Sequence, residues 1–196
     1  MTTLLLFHHA QGQTKGFLAF ADELREAGHA VHAPDLYDGN TFEDLDEGVA
    51  YAKKVGFDEI LSRGTATATD LPADIVYAGF SLGVMPAQSL AQTRPGAKGA
   101  ILYSAAMPAS EFGGSWPKGV PLQIHMMDDD PWAEEDRPAA EALVEEVEGA
   151  ELFLYPGSGH LFADSSLSDY DEHAAGLLRE RTLDFLRRVG EGSDRP

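Results

Sequence analysis

The sequence predicts an α/β fold: a doubly wound, mostly parallel sheet of about six strands with helices on both faces. Two observations predict it. Short apolar runs alternate with longer stretches of helical periodicity along the chain, which is the pattern of βα units. The first run, residues 4–7, is apolar throughout, as a strand covered on both faces must be. At 196 residues and 43% hydrophobic content the chain can bury one sizeable core. One domain over residues 1–190 is expected, with residues 191–196 a frayed tail.

Residues 4–7 (Leu-Leu-Leu-Phe) read as the first strand and residues 8–13 as its exit loop. Phe17, Phe20, Ala21, Leu24 and Ala27 recur at helical spacing, and Gly28 supplies a C-terminal cap. Residues 30–34 (Ala-Val-His-Ala-Pro) form a short second strand ended by proline, and residues 35–40 carry turn chemistry. Thr41 with Glu43, Asp44 and Asp46 opens an acidic helix bearing Leu45, Val49 and Ala52. Phe57, Ile60 and Leu61 continue the helical spacing to Gly64. Residues 65–69 (Thr-Ala-Thr-Ala-Thr) are low in complexity but too short for a linker.

Residues 75–77 (Ile-Val-Tyr) predict the third strand, followed at once by a helix that dies near Arg94-Pro95-Gly96. Residues 99–103 predict the fourth. Residues 107–119, rich in Pro, Gly and Ser, read as a long loop or cap over the sheet edge. Residues 122–126 predict a fifth strand, 134–148 a helix with Ala140 and Leu143 inward, and 152–155 a sixth strand. Ala174, Leu178, Phe185 and Val189 mark a final amphipathic helix.

Between the third strand and its helix stands Gly79-Phe80-Ser81-Leu82-Gly83. G-x-S-x-G at a strand-to-helix turn is the nucleophile elbow of the α/β-hydrolases. The glycines are needed because a serine in so sharp a turn brings neighbouring backbones too close for a Cβ. The same turn lifts Oγ above the sheet edge and aims the Leu82 N–H, at the start of a helix, where an oxyanion would form. Such a site also needs an acid and a histidine, in that order.

His160, in the Pro156-Gly157-Ser158-Gly159-His160 loop after the last strand, is the candidate base. Asp128, Asp129 and Asp130 are adjacent candidates for the acid that orients it. Asp130 is preferred because Pro131 and Trp132 follow it and can shield it from water. The Ala10 N–H, in the loop after the first strand, is the expected second oxyanion donor beside Leu82. All these positions fall just after strands, where sites of open α/β sheets lie.

No metal or other cofactor is expected. His8-His9 and His29 with His32 lack the helical i, i+4 spacing and the glutamate of a zinc site, and no phosphate or dinucleotide loop is present. There is no cysteine, which excludes disulfides and a thiol nucleophile. The 33 acidic against 14 basic residues give a formal charge of −19, which opposes nucleic acid and anionic membranes as partners. The first residues read as a strand and not a signal peptide, and no run is long enough to span a bilayer. A cytoplasmic monomer or homodimer acting on a small molecule is expected.

Four segments resemble the dienelactone hydrolase family. Ala33-Pro34-Asp35-Leu36-Tyr37 is similar to that family's A-P-D-L-Y segment, and the elbow to its G-F-C-L-G-G. Residues 125–132 (His-Met-Met-Asp-Asp-Asp-Pro-Trp) resemble its H-x-G-x-x-D-x-F, which aligns the catalytic aspartate with Asp130. Residues 155–162 (Tyr-Pro-Gly-Ser-Gly-His-Leu-Phe) resemble its Y-x-G-A-x-H-x-F, which aligns the histidine with His160. The resemblance implies an α/β-hydrolase fold and ester hydrolysis.

The chain departs from that pattern in places. Ser81 stands where the family usually has cysteine, Val84 where it has glycine, and His9 where its first loop carries a glutamate. Asp164, four residues after the histidine, and Asp38 stand where carboxylate-binding arginines are expected, so a substrate carboxylate would meet like charge. The reading is therefore a serine hydrolase of small esters or thioesters, with Tyr37, Phe80, Trp116, Trp132 and Phe162 as candidate pocket residues. Its rivals are a non-catalytic small-ligand binder on the same fold and an acyltransferase.

Overall fold

A computed structural model describes residues 1–191. The strands β1 (Thr3–Phe7), β2 (Ala30–His32), β3 (Val76–Phe80), β4 (Gly99–Tyr103), β5 (Leu122–Met127) and β6 (Glu151–Tyr155) form one six-stranded sheet in the order β2-β1-β3-β4-β5-β6. Every pairing is parallel. Among the described residues there are six α-helices: α1 (Lys15–Glu26), α2 (Leu45–Val55), α3 (Phe57–Ala66), α4 (Val84–Thr93) and α5 (Arg137–Glu146) lie between strands, and α6 (Glu172–Glu191) follows the last.

The sheet's pleat sorts its side chains into two cores. Leu5, Phe7, Tyr77, Leu102 and Ile124 face α2, α3, α4 and α5, meeting Ala52, Ile60, Ala87 and Leu143. Leu4, Leu6, Ala78, Ile101 and Tyr103 face α1 and α6, meeting Phe17, Leu24, Leu178 and Phe185. Strands β3, β4 and β5 are buried along their whole length; β3 and β4 are accordingly apolar without alternation, while β5 carries Gln123 and His125, which hydrogen-bond to each other inside the sheet.

Element boundaries moved where capping or a backbone turn decides them. The acidic helix begins at Leu45, not Thr41, because the Asp44 side chain accepts from the Glu47 N–H and so caps it there. Gly56, at φ 96°, then breaks the helical stretch into α2 and α3. The expected helix over residues 134–148 is shorter, since residues 131–136 form turns ahead of α5. Within residues 107–119 the chain makes one 3₁₀ turn, Ala109–Phe112. Glu191, expected in the tail, is the last residue of α6, and residues 192–196 lie outside the described residues. Among the described residues no helix is long and apolar enough to cross a membrane.

Two histidines are wholly buried in this frame. His125 bridges Tyr155 Oη at 2.7 Å and Gln123 Oε1 at 2.8 Å, and His8 lies between the His9 carbonyl at 2.7 Å and the Leu36 N–H at 3.0 Å. Burial holds His125 down to about 3 and His8 down to about 4. Both folded values lie below the unfolded value of about 6.5. The stability they contribute is therefore present above that pH and lost below it, at up to about 1.4 kcal/mol per pH unit for each. The melting temperature is expected to fall by about 5 °C or more between pH 6.5 and 5. A thermal-unfolding series over that range checks this, and a flat profile contradicts it.

Candidate active site

The carboxyl ends of β1, β3, β5 and β6 supply the site. Ser81 follows β3 at φ 48°, a left-handed conformation that costs a non-glycine residue about 1–3 kcal/mol. The close approaches are real: a Cβ on Gly79 would sit 2.0 Å from the Gly83 carbonyl oxygen, and one on Gly83 2.6 Å from that of Phe7. Because Phe7 pairs in register with Gly79, the β1 exit loop runs directly beside the elbow. Ala10 in that loop is buried, and Leu82 lies in the first turn of the 3₁₀ segment Ser81–Gly83, where N–H groups have no intrahelical acceptor.

Asp130 follows β5 and His160 follows β6. The two loops are zipped together by the Asp128 N–H on the Tyr155 carbonyl at 2.8 Å and the Asp129 N–H on the Gly157 carbonyl at 3.0 Å. His160 then reaches back across two intervening strands to the elbow. Its Nε2 is 2.7 Å from Ser81 Oγ and its Nδ1 2.6 Å from Asp130 Oδ2. His160 and Asp130 are buried while Ser81 is half-buried. Asp130 Oδ1 accepts from the Trp132 N–H at 2.9 Å. The other two aspartates are exposed, and Asp128 Oδ1 accepts from the Gly157 N–H. With a carboxylate accepting at Nδ1, the imidazole holds its proton there and turns the Nε2 lone pair to the serine.

Of the expected pocket aromatics, Trp132 alone is exposed, at 46%, with its ring 6.1 Å from that of His160. The other four belong to the cores. Tyr37 packs on Tyr51 and His8, Phe80 stacks on Tyr103, and Phe162 packs on Tyr155. Trp116 is buried and donates its indole N–H to the Val120 carbonyl. His9, Phe80 and Asp164 border a hollow of about 10 Å³, too small for a substrate. Hollows of about 490 and 420 Å³ lie at the amino ends of the strands, one beside Met1 and His29, the other beside Lys98 and Pro121, away from Ser81.

The expected repulsion from Asp164 and Asp38 is not built into the structure. Asp38 is exposed and paired with Arg63 Nη1 at 2.8 Å. Asp164 is buried, and its carboxylate accepts from His9 Nε2 at 2.9 Å, from the Thr14 hydroxyl, and from the Ser166 N–H and hydroxyl at 2.9 and 2.7 Å. Burial alone would raise this carboxyl, but the donors from His9, Thr14 and Ser166 outweigh it and hold it at about 2.

Sequence reasoning missed Thr14 and Ser166 in this role. The signal for Thr14 was its place just before the helical Phe17, since it is also the N-cap of α1. It missed Asp136 too, half-buried on the loop leading into α5. Burial pushes the Asp136 carboxyl up against the opposing pull of the Ala106 N–H and His160. Among the described residues no three His, Asp or Glu side chains group as a metal site would need.

An open parallel sheet with a serine on a strained strand-to-helix turn, and a histidine and an acid delivered by later strands, defines the α/β-hydrolase class. The dienelactone hydrolase family model matches residues 2–190. The chain belongs to that family and is a hydrolase. Solved structures similar to it include a dienelactone hydrolase-like promiscuous phosphotriesterase from metagenomic libraries, at 16% identity and TM-score 0.72, covering 96% of this chain and 87% of that one. The Thermogutta terrifontis esterase 2 phosphonylated by cyclosarin is similar at 18% identity and TM-score 0.70, covering 96% and 83%. A dienelactone hydrolase from Anabaena variabilis is similar at 18% identity and TM-score 0.67, covering 95% and 86%. A comparison with curated proteins gave no match.

Proposed function

We propose that the protein is a serine hydrolase of small carboxylic esters or thioesters, working through an acyl-enzyme on Ser81. One observation carries this reading: Ser81 Oγ, His160 and Asp130 form a hydrogen-bonded row of 2.7 and 2.6 Å, with the serine on a strained elbow.

Each group has a chemical task. His160 Nε2 takes the Ser81 proton as Oγ adds to the substrate carbonyl, and the Asp130 carboxylate stabilises the imidazolium that forms. The oxyanion of the tetrahedral intermediate accepts from the Leu82 and Ala10 N–H groups. Collapse expels the alkoxide or thiolate, which takes the proton from His160 and leaves an ester on Ser81. Water then repeats the sequence with His160 as base, releasing the acid and restoring the serine. Ser81 is half-buried, so water can serve as the second nucleophile, which favours hydrolysis over acyl transfer. The exposed Trp132 ring beside His160 offers an apolar platform for the acyl or leaving group.

The test is a panel of p-nitrophenyl acetate, butyrate and hexanoate with one short acyl thioester. Saturable hydrolysis well above the buffer rate is expected for at least one. No turnover of any of them would overturn the reading.

A further inference from the structure

Residues 9 and 164, where the family resemblance puts a glutamate and an arginine, are here His9 and Asp164, and they are hydrogen-bonded to each other at 2.9 Å. The acid and the base have changed places. The pair lies behind the elbow, not in the open site: His9 and Asp164 are 1% and 4% exposed. It is a built arrangement. A Cβ on Gly16 would overlap the Asp164 carboxylate, so glycine there makes room for it. Thr14, which caps α1 through the Phe17 N–H, turns its hydroxyl onto the same carboxylate oxygen as His9.

The His9 ring is fixed at both nitrogens. Nδ1 accepts from the Gln11 N–H at 3.2 Å, so the proton sits on Nε2 and is donated to Asp164. His160 holds the opposite tautomer, protonated at Nδ1 toward Asp130. The His9 carbonyl accepts from the Gly12 N–H at 3.0 Å, closing a β-turn over residues 9–12. Ala10 occupies the second position of that turn, whose N–H is not used in closing it. The ring is thus part of the turn that presents Ala10, and Asp164 holds the ring.

We propose that Asp164 is a positioning residue: through His9 it fixes the orientation of the turn over residues 9–12, and so aims the Ala10 N–H at the oxyanion. This rests on the acyl-enzyme reading given above. A misaimed donor weakens only the transition state, so kcat falls and KM changes little.

The experiment compares wild type, Asp164→Ala, His9→Asn and the double variant on the best ester, with folding checked by circular dichroism. His9→Asn keeps an acceptor for the Gln11 N–H but cannot reach Asp164. Each single variant is expected to lose about 10- to 100-fold in kcat with KM within about 3-fold, a fraction of the loss seen when an oxyanion donor is removed. Affinity for a trifluoromethyl ketone, which forms a tetrahedral adduct bearing an oxyanion, should fall by the same factor. A purely structural role would not produce that parallel. In the His9→Asn background, Asp164→Ala should cost less than about 3-fold more, because the two act as one unit.

Unchanged kcat in either folded single variant overturns the proposal, as does a loss confined to KM, or additive losses in the double variant. If Asp164→Ala does not fold, His9→Asn alone decides through its kcat and its ketone affinity. Failure of the underlying reading is a separate result, seen as activity that persists in Ser81→Ala.

Discussion

Ser81→Ala is expected to lower kcat for p-nitrophenyl acetate by about 10⁴- to 10⁶-fold, with a fold indistinguishable from wild type. On the proposed acyl-enzyme reading the magnitude follows because His160 and Asp130 act through the serine, to which they are hydrogen-bonded in a row, so removing Oγ disables all three at once. The strain at φ 48° belongs to the backbone and remains with alanine. Ser81→Gly should be equally inactive but should melt higher than Ser81→Ala, because glycine adopts that conformation without cost and about 1 kcal/mol is recovered. Kinetics and thermal melts of both variants check this. Residual activity within about 10-fold of wild type in the alanine variant would remove Ser81 from the mechanism.

Asp130→Asn is expected to lower kcat by about 10³- to 10⁴-fold while leaving the loop in place. The Trp132 N–H, now held by Oδ1, will keep the asparagine oxygen. That turns the amide NH₂ toward His160 Nδ1, so the imidazole must accept there and carry its proton on Nε2, facing Ser81 Oγ. A base protonated on the wrong nitrogen cannot receive the serine proton. Asp128→Asn and Asp129→Asn, both at exposed side chains, should each change kcat by less than about 3-fold. A large loss in Asp128→Asn with little in Asp130→Asn would reassign the acid.

The central strands were legible because burial on both faces leaves an apolar run along the chain, whereas the order of the strands in the sheet left no such mark. The elbow was legible because glycine spacing reports a steric requirement, and the requirement is met at φ 48° and at a 2.0 Å approach. Asp130 could be preferred over its neighbours because Pro131 and Trp132 follow it, and it is the one buried of the three.

Loop side chains have no period, so which way they turn was not legible. Tyr37, Trp116 and Phe162 entered the candidate pocket as aromatics near strand ends, and all three turn into the core. Ser166, two residues on, is a near partner of Asp164, but the donors that turn its carboxylate inward are remote in sequence: His9 lies 155 residues away and Thr14 150. Only the packing of the loop after β1 on the loop after β6 makes that carboxylate an internal acceptor.

The claim on which the rest depends is that Ser81 becomes covalently acylated. Labelling the protein with a fluorophosphonate and locating the adduct by mass spectrometry tests it directly. One adduct per chain on the peptide carrying Ser81, absent in Ser81→Ala and strongly slowed in Asp130→Asn, is the expected result. An adduct on any other residue, or no adduct in protein that still hydrolyses esters, would contradict the account.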